Sequence, residues 1–320
     1  MKFEGIYTPV ITPYRDDYSV DWEGLEAVVE HLIEAGVHGI ITAGTTGEYY
    51  AQSREERLAV MKRTQEIVNG RVPVIAGAGA LRTEDAEDYA RAARELKIDA
   101  LLLGAPYYAM PTERELVSHA LSVDRAANMP IMLYNFPSRT GVSMGREFLD
   151  RVGRSANFCA IKEASGDPAR LHMLAREYPH IQVSCGMDDQ ALEFFAWGAR
   201  SWVCGASNFL PHEHIALWRA CVVEKDFDKG RRLMQAFLPL LELMEGGGKF
   251  VQSIKYGCEL EGVPAGPPRK PLRGLTKEEK RELETIRRTL KAAFAAFDGQ
   301  SHSEIHNDRR LHDVAAGNAE

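Results

Sequence analysis

Lys162 stands near the start of "IKEASGDP", directly behind an apolar run that reads as a buried strand. An ammonium withdrawn from water without a partner costs several kcal/mol or sheds its proton. A lysine at a strand end is ordinarily explained by exposure, or here by pairing with the adjacent Glu163, so its meaning depends on what the rest of the chain gathers around it. Twenty-eight residues earlier lies Tyr134, which opens "YNFPSRTG" and shares that segment with Arg139. "AGTTGE" at 43–48 brings the hydroxyls of Thr45 and Thr46, with Gly44 and Gly47 letting backbone N–H groups approach an anion closely. "PYYAMPT" at 106–112 adds the phenols of Tyr107 and Tyr108.

The chemistry that uses such a set is carbonyl chemistry through a Schiff base. A neutral lysine amine adds to a ketone, and the iminium that follows is an electron sink stabilising a carbanion or enamine at the next carbon. The ordinary lysine pKa is about 10.4, so an amine that reacts near neutrality is expected to be lowered by desolvation in apolar surroundings. A phenol beside the nitrogen can shuttle protons as the carbinolamine forms and loses water, and Tyr134 is the candidate. Hydroxyls and amides of Thr45 and Thr46 suit a carboxylate next to the carbonyl, which selects a 2-oxo acid. No metal and no organic cofactor is required.

These residues have to be positioned by a common frame. Apolar runs at 5–11, 38–43, 73–78, 99–105, 130–135, 158–163, 181–186 and 201–206 alternate with amphipathic stretches. In "WEGLEAVVEHLIEAG", for example, Leu25, Val28, Val29, Leu32 and Ile33 mark one helix face. Pro106, Tyr134 and Lys162 recur at a constant spacing of 28 residues, which predicts parallel strands joined by right-handed crossovers. Eight such units predict a (β/α)8 TIM barrel over residues 1–210, in which the strand ends that carry these residues converge on one mouth. From 211 to 298 only helices are expected, at 212–224, 226–245, 250–261 and 276–297, forming a C-terminal extension. In the last of them Thr276 and Glu279 have capping-box spacing, and Leu283, Ile286, Leu290, Phe294 and Phe297 form its apolar stripe. "GGG" at 246–248 reads as a helix break, and "PPRKPLRG" as a proline-fixed connector without a functional part. The polar segment 299–320 reads as a disordered tail.

Composition closes off other classes. With 320 residues, 45 % of them hydrophobic, the chain can bury a large core. A net charge of −7 argues against a nucleic-acid or anionic-membrane surface. Five cysteines without a CxxC pair suggest reduced core thiols. "HEH" at 212–214 follows Pro211 and reads as a surface helix start rather than a metal site, and "GAGALRTED" lacks the GxGxxG of a dinucleotide loop. The start of the chain carries no signal-peptide core, and no apolar run reaches the roughly 20 residues of a membrane helix. A cytoplasmic location is expected.

"GTTGE", "YNFPSRTG" and "IKEASG", in this order at three strand ends, resemble the dihydrodipicolinate synthase and N-acetylneuraminate lyase family of pyruvate-dependent class I aldolases. The resemblance runs from "GIYTPVITPY" to about residue 290, takes in "RKPLRGL", and is nearest to the synthase branch. It implies that Lys162 forms the Schiff base with pyruvate, that Tyr134 and Thr45 relay protons, and that Tyr108 completes the relay in a neighbouring subunit. It further implies that Thr46, Gly47 and Val203 bind pyruvate, that Arg139 takes the carboxylate of the second substrate, and that the enzyme is a homotetramer, a dimer of dimers. The activity implied is condensation of pyruvate with aspartate semialdehyde. Cleavage or dehydration of a 2-keto-3-deoxy sugar acid is the alternative within the family, and a catalytically idle paralogue that binds a 2-oxo acid is the alternative outside enzymes.

The chain departs from the synthase pattern at Ala109, where Asn is usual, at Tyr49 and Tyr50, where small residues are usual, and in "CGMDD" and "CGASNFLP". Many synthases of this family are inhibited by lysine in a cleft at the tight-dimer interface. The matching positions here are Tyr49, Tyr50, Leu81 and Asp85, with only Tyr107 kept, and the expectation is that lysine does not inhibit.

Overall fold

The computed structural model describes the backbone of residues 1–316 and the side chains of 1–297. The disordered-tail reading of 299–320 therefore falls outside the residues whose side chains are described, and 317–320 outside the described backbone. Eight strands carry the fold: β1 (Gly5–Pro9), β2 (Gly39–Thr42), β3 (Val74–Gly77), β4 (Ala100–Gly104), β5 (Ile131–Asn135), β6 (Phe158–Glu163), β7 (Gln182–Cys185) and β8 (Ser201–Val203). They pair in sequence order, all parallel, and β8 returns to β1 to close the barrel. The eight apolar runs and the eight strands coincide, which makes the fold a (β/α)8 TIM barrel.

Between the strands run α1 (Trp22–Glu34), α2 (Arg54–Val68), α3 (Thr83–Glu95), α4 (Glu113–Ala127), the single turn α5 (Pro137–Thr140), α6 (Arg146–Val152), α7 (Pro168–Glu177) and α8 (Ala191–Ala196), and α9 (Pro211–Trp218) follows β8. Their starts are chemically marked. Asp21 accepts from the Gly24 N–H, and Ser53 with Glu56 and Thr112 with Glu115 form reciprocal capping boxes. α9 packs against β1. A π-helical turn, Arg219–Val223, then leads to α10 (Phe227–Gly246), α11 (Phe250–Leu260) and α12 (Lys277–Ala316). The predicted cap of α12 is present, with Thr276 and Glu279 bonding each other's backbone N–H, and Leu283, Leu290 and Phe294 are buried along its stripe.

Alternation along the strands sorts apolar residues into two layers. One faces the helices; the other, with Phe3, Tyr7, Ile41, Ile75, Leu102, Met132, Ala160 and Val203, fills the barrel lumen. β6 departs from simple alternation. Ile131 pairs with Phe158 but Met132 pairs with Ala160, so Cys159 is one residue too many. This bulge resets the phase of β6: Ala160 joins the lumen layer, Lys162 follows it two residues later on the same side, and Glu163 faces out.

His214 corrects the surface reading of "HEH". His212 is exposed, but His214 is fully buried between Trp202 and Phe237, at ring distances of 4.7 and 4.6 Å, with Nδ1 2.6 Å from the Leu210 carbonyl. Burial depresses its pKa to about 4. All five cysteines are free thiols, four of them buried. Among the described residues no helix is long and apolar enough to cross a membrane, and no group of ligating side chains could hold a metal ion.

Candidate active site

Lys162 sits on β6 opposite Tyr134 of β5 and Ser184 of β7, and is 9 % exposed. Its Nζ lies 4.4 Å from the centroid of the Tyr134 ring. Glu163, the neighbour in sequence, is not its partner. That carboxylate points to the other side of the sheet, where it accepts from Asn135 Nδ2 at 3.0 Å, the Ser165 N–H at 2.8 Å and Arg170 Nε at 3.1 Å. Lys162 therefore faces the lumen without a paired carboxylate, among the described residues. Gly186 makes room for it, since a Cβ there would come within 2.6 Å of Lys162 Cγ.

Thr45 and Thr46 open a single 3-10 turn, Thr45–Gly47, at the end of β2. Gly47 closes that turn from behind: its N–H is given to the Gly44 carbonyl at 3.0 Å, its own carbonyl accepts from Thr12 Oγ1 at 2.8 Å, and a Cβ would sit 2.9 Å from the Val10 carbonyl. The residue after it, Glu48, adopts φ +58° and is fully buried, paired at 2.8 Å with Lys255 Nζ of α11. Lys255 also donates to the carbonyls of Thr12 and Pro267 at 3.0 Å. Burial pulls its pKa down, and the Glu48 carboxylate opposes that.

Arg269 completes this support. Its N–H donates to Glu48 at 2.8 Å, and its guanidinium bonds Glu56 at 2.7 and 2.5 Å and the Ala51 carbonyl at 2.8 Å. The connector "PPRKPLRG", to which sequence reading gave no part, clamps the turn that carries Thr45 and Thr46.

One cavity of about 40 Å³ is lined by Thr45, Thr46, Tyr134, Arg139, Lys162 and Val203. It adjoins a hollow of about 480 Å³, sharing Thr45, Leu102, Tyr134 and Arg139 with it, that reaches Tyr49, Arg57 and Tyr107. Two expected site residues lie apart from this lining. Gly47 is behind the turn, and Tyr108 is 93 % exposed at φ +70°, turned out from its own barrel mouth.

Two carboxyl groups in the cavity escaped sequence reading. Asp188 follows β7 and is buried, accepting from Trp202 Nε1 at 2.8 Å. Burial raises its pKa to about 7; the Glu245 carboxylate adds to the rise, and the Trp202 bond and the Lys162 charge oppose it. "CGMDD" at a strand end was the available signal. Glu245 comes from the last turn of α10 and lines the same cavity, its pKa raised by burial and held back by Arg139 and Lys162. No local motif points to it.

In the larger hollow Arg57 is 3 % exposed, with its guanidinium carbon 4.4 Å from the Tyr49 ring centroid and 3.9 Å from that of Tyr89. It donates to the carbonyls of Gly77 and Gly79 at 2.6 and 3.0 Å and has no carboxylate partner among the described residues.

The set comprises an amine against a phenol, with two threonine hydroxyls, a guanidinium and two carboxyl groups lining the same cavity. It can form an imine with a 2-oxo acid, move protons at the nitrogen, and hold a charged second reactant. The model of the dihydrodipicolinate synthetase family matches residues 2–292. A protein named 4-hydroxy-tetrahydrodipicolinate synthase from Methanocaldococcus jannaschii is 35 % identical over 293 residues, covering 90 % of this chain and 99 % of the relative. The solved structure of the 4-hydroxy-tetrahydrodipicolinate synthase from Methylacidiphilum fumariolicum SolV superposes with a TM-score of 0.87 at 31 % identity, covering 93 % of this chain and 99 % of that one. That of YagE from E. coli K12, a prophage protein of the same family in complex with pyruvate, gives 0.85 at 29 % identity, covering 91 % and 99 %.

Proposed function

The chain belongs to the dihydrodipicolinate synthetase family, and on that premise we propose that it is a lysine Schiff-base lyase condensing pyruvate with aspartate semialdehyde to 4-hydroxy-tetrahydrodipicolinate. The observation that carries this reading is Lys162, nearly buried in the barrel mouth, facing Tyr134 and free of Glu163. Its amine adds to C2 of pyruvate and water leaves, giving the iminium; loss of a C3 proton gives the enamine. The enamine carbon attacks the aldehyde carbon, whose oxygen takes up a proton. The amino group of the acceptor then adds to C2 and releases Lys162, closing the ring. The electron sink is the iminium itself, so no cofactor is needed.

In this scheme Tyr134 passes protons to and from the nitrogen and carbinolamine oxygen, and Thr45 connects it onward. Thr46 holds the pyruvate carboxylate against the Val203 wall, with Gly47 fixing the turn that presents Thr46. Arg139 takes the acceptor's carboxylate, for which its planar fork is suited. Tyr108 serves the site of a neighbouring subunit in a homotetramer, a dimer of dimers; its exposure next to Met110, 61 % exposed, supports a covered face there. The enzyme works in the cytoplasm.

Borohydride reduction with pyruvate, followed by peptide mapping, is expected to label Lys162. Turnover is then compared with aspartate semialdehyde and with 2-keto-3-deoxy sugar acids. An adduct elsewhere, or none, overturns the mechanism; an adduct at Lys162 with turnover of the sugar acids alone overturns the acceptor.

A further inference from the structure

Glu245 and Arg139 line one cavity, from opposite ends of the chain's architecture: Arg139 in the turn after β5, Glu245 in the last turn of α10. No ion pair joins them in the described structure, although each lies within the other's field. A guanidinium and a carboxylate that line one cavity without pairing match a ligand that carries an anion and a cation on a single carbon. An α-amino acid group is such a ligand.

We propose that Glu245 binds the α-ammonium of the acceptor aldehyde while Arg139 binds its α-carboxylate, so that the pair selects an amino-acid aldehyde over an aldehyde bearing a carboxylate alone. This rests on the reading of aspartate semialdehyde as acceptor. The chemistry follows from placement. Lys162, Tyr134, Arg139 and Glu245 line one cavity, so while the aldehyde carbon bonds to the enamine on Lys162 the α-amino acid end can lie against the two charged side chains; its nitrogen leaves Glu245 and loses a proton only for the later ring closure. The Glu245 carboxylate is raised by burial but stabilised by the two cations that share its cavity, and a bound ammonium would stabilise it further. The run Gly246–Gly248 follows Glu245 directly and ends α10 at Gly246, which leaves Glu245 in the helix's last turn, lining the cavity.

The test compares aspartate semialdehyde with 4-oxobutanoate, the same aldehyde without the amino group, in wild type, Glu245→Gln and Glu245→Asp, following pyruvate consumption. Formation of the borohydride-trapped adduct at Lys162 in each variant shows that the site is folded. The ratio of kcat/KM for the two aldehydes is expected to fall by about 10- to 100-fold in Glu245→Gln, mostly through KM, the range for one hydrogen bond to a charged group. Glu245→Asp should recover part of it.

A ratio unchanged in Glu245→Gln while wild type accepts aspartate semialdehyde overturns the ammonium subsite and leaves the acceptor reading intact. Wild type that accepts neither aldehyde overturns the acceptor reading and the subsite with it.

Discussion

Tyr134 and Lys162 are register partners on adjacent parallel strands, with Lys162 Nζ 4.4 Å from the centre of the Tyr134 ring. The spacing of 28 residues between them is thus one βα repeat read at equal height on the barrel wall. Their approach also depends on Cys159, whose extra residue turns Lys162 inward.

From this geometry Tyr134→Phe should keep the fold and the pyruvate site but lose roughly 10²- to 10⁴-fold in kcat, the span for one positioned proton donor or acceptor. Steady-state kinetics alongside near-UV circular dichroism checks it. Unchanged turnover would remove the phenol from the relay.

Asp188 supplies a pH signature. Its pKa is about 7 in the folded protein against 3.8 in the unfolded chain, raised first by burial. Between these values the folded state holds the extra proton, so its stability falls as pH rises through this window. Asp188→Asn lacks that slope. Relative to wild type the variant should gain stability from pH 4 to pH 8, by on the order of 4 kcal/mol at most. Urea unfolding at several pH values measures it, and a difference that does not vary with pH would refute the assignment.

The barrel was legible because each buried strand is a short apolar run between amphipathic helices, and parallel strands covered on both faces need no alternation to be seen. Lys162, Tyr134, Thr45, Thr46 and Arg139 were legible because strand ends in a barrel meet at one mouth. What stayed hidden came from long range. Glu245 enters from a helix beyond the barrel, Arg269 reaches back more than two hundred residues to Glu56, and His214 is buried by Trp202 and Phe237 rather than by anything near it in sequence. The bulge at Cys159 had no marker either, because Cys, Ala and Ile are equally at home on both sides of β6.

Lys255 and Glu48 form a pair 2 % and 0 % exposed beneath the threonine turn. Removing one partner strands the other charge in the core, so Lys255→Met should cost about 3–5 kcal/mol, and the double substitution with Glu48→Gln should recover part of that. Pyruvate affinity should weaken with Lys255→Met because Glu48 anchors the segment carrying Thr45 and Thr46. Thermal melts and pyruvate titration check both effects. A single variant as stable as wild type would show that the pair does not brace this turn.

Feedback by lysine is the last expectation, and the packing of Tyr49 and Tyr50 bears on it. Tyr49 and Tyr50 pack edge to face at 5.9 Å, occupying space that small residues would leave open. Leu81 is 50 % exposed and offers no polar side-chain group, and Asp85 lies 3.7 Å from Arg82. Arg57 lines the same hollow and donates to the Gly77 and Gly79 carbonyls, while its Nε has no hydrogen-bond partner. With Leu81 at this position a bound lysine lacks polar side-chain partners for its charged groups, and an unpaired buried charge is expensive. Lysine at millimolar concentration should therefore leave both the rate and the thermal midpoint unchanged. Inhibition in that range, or a midpoint that rises with lysine, would mean that the tyrosines and Arg57 rearrange to admit it.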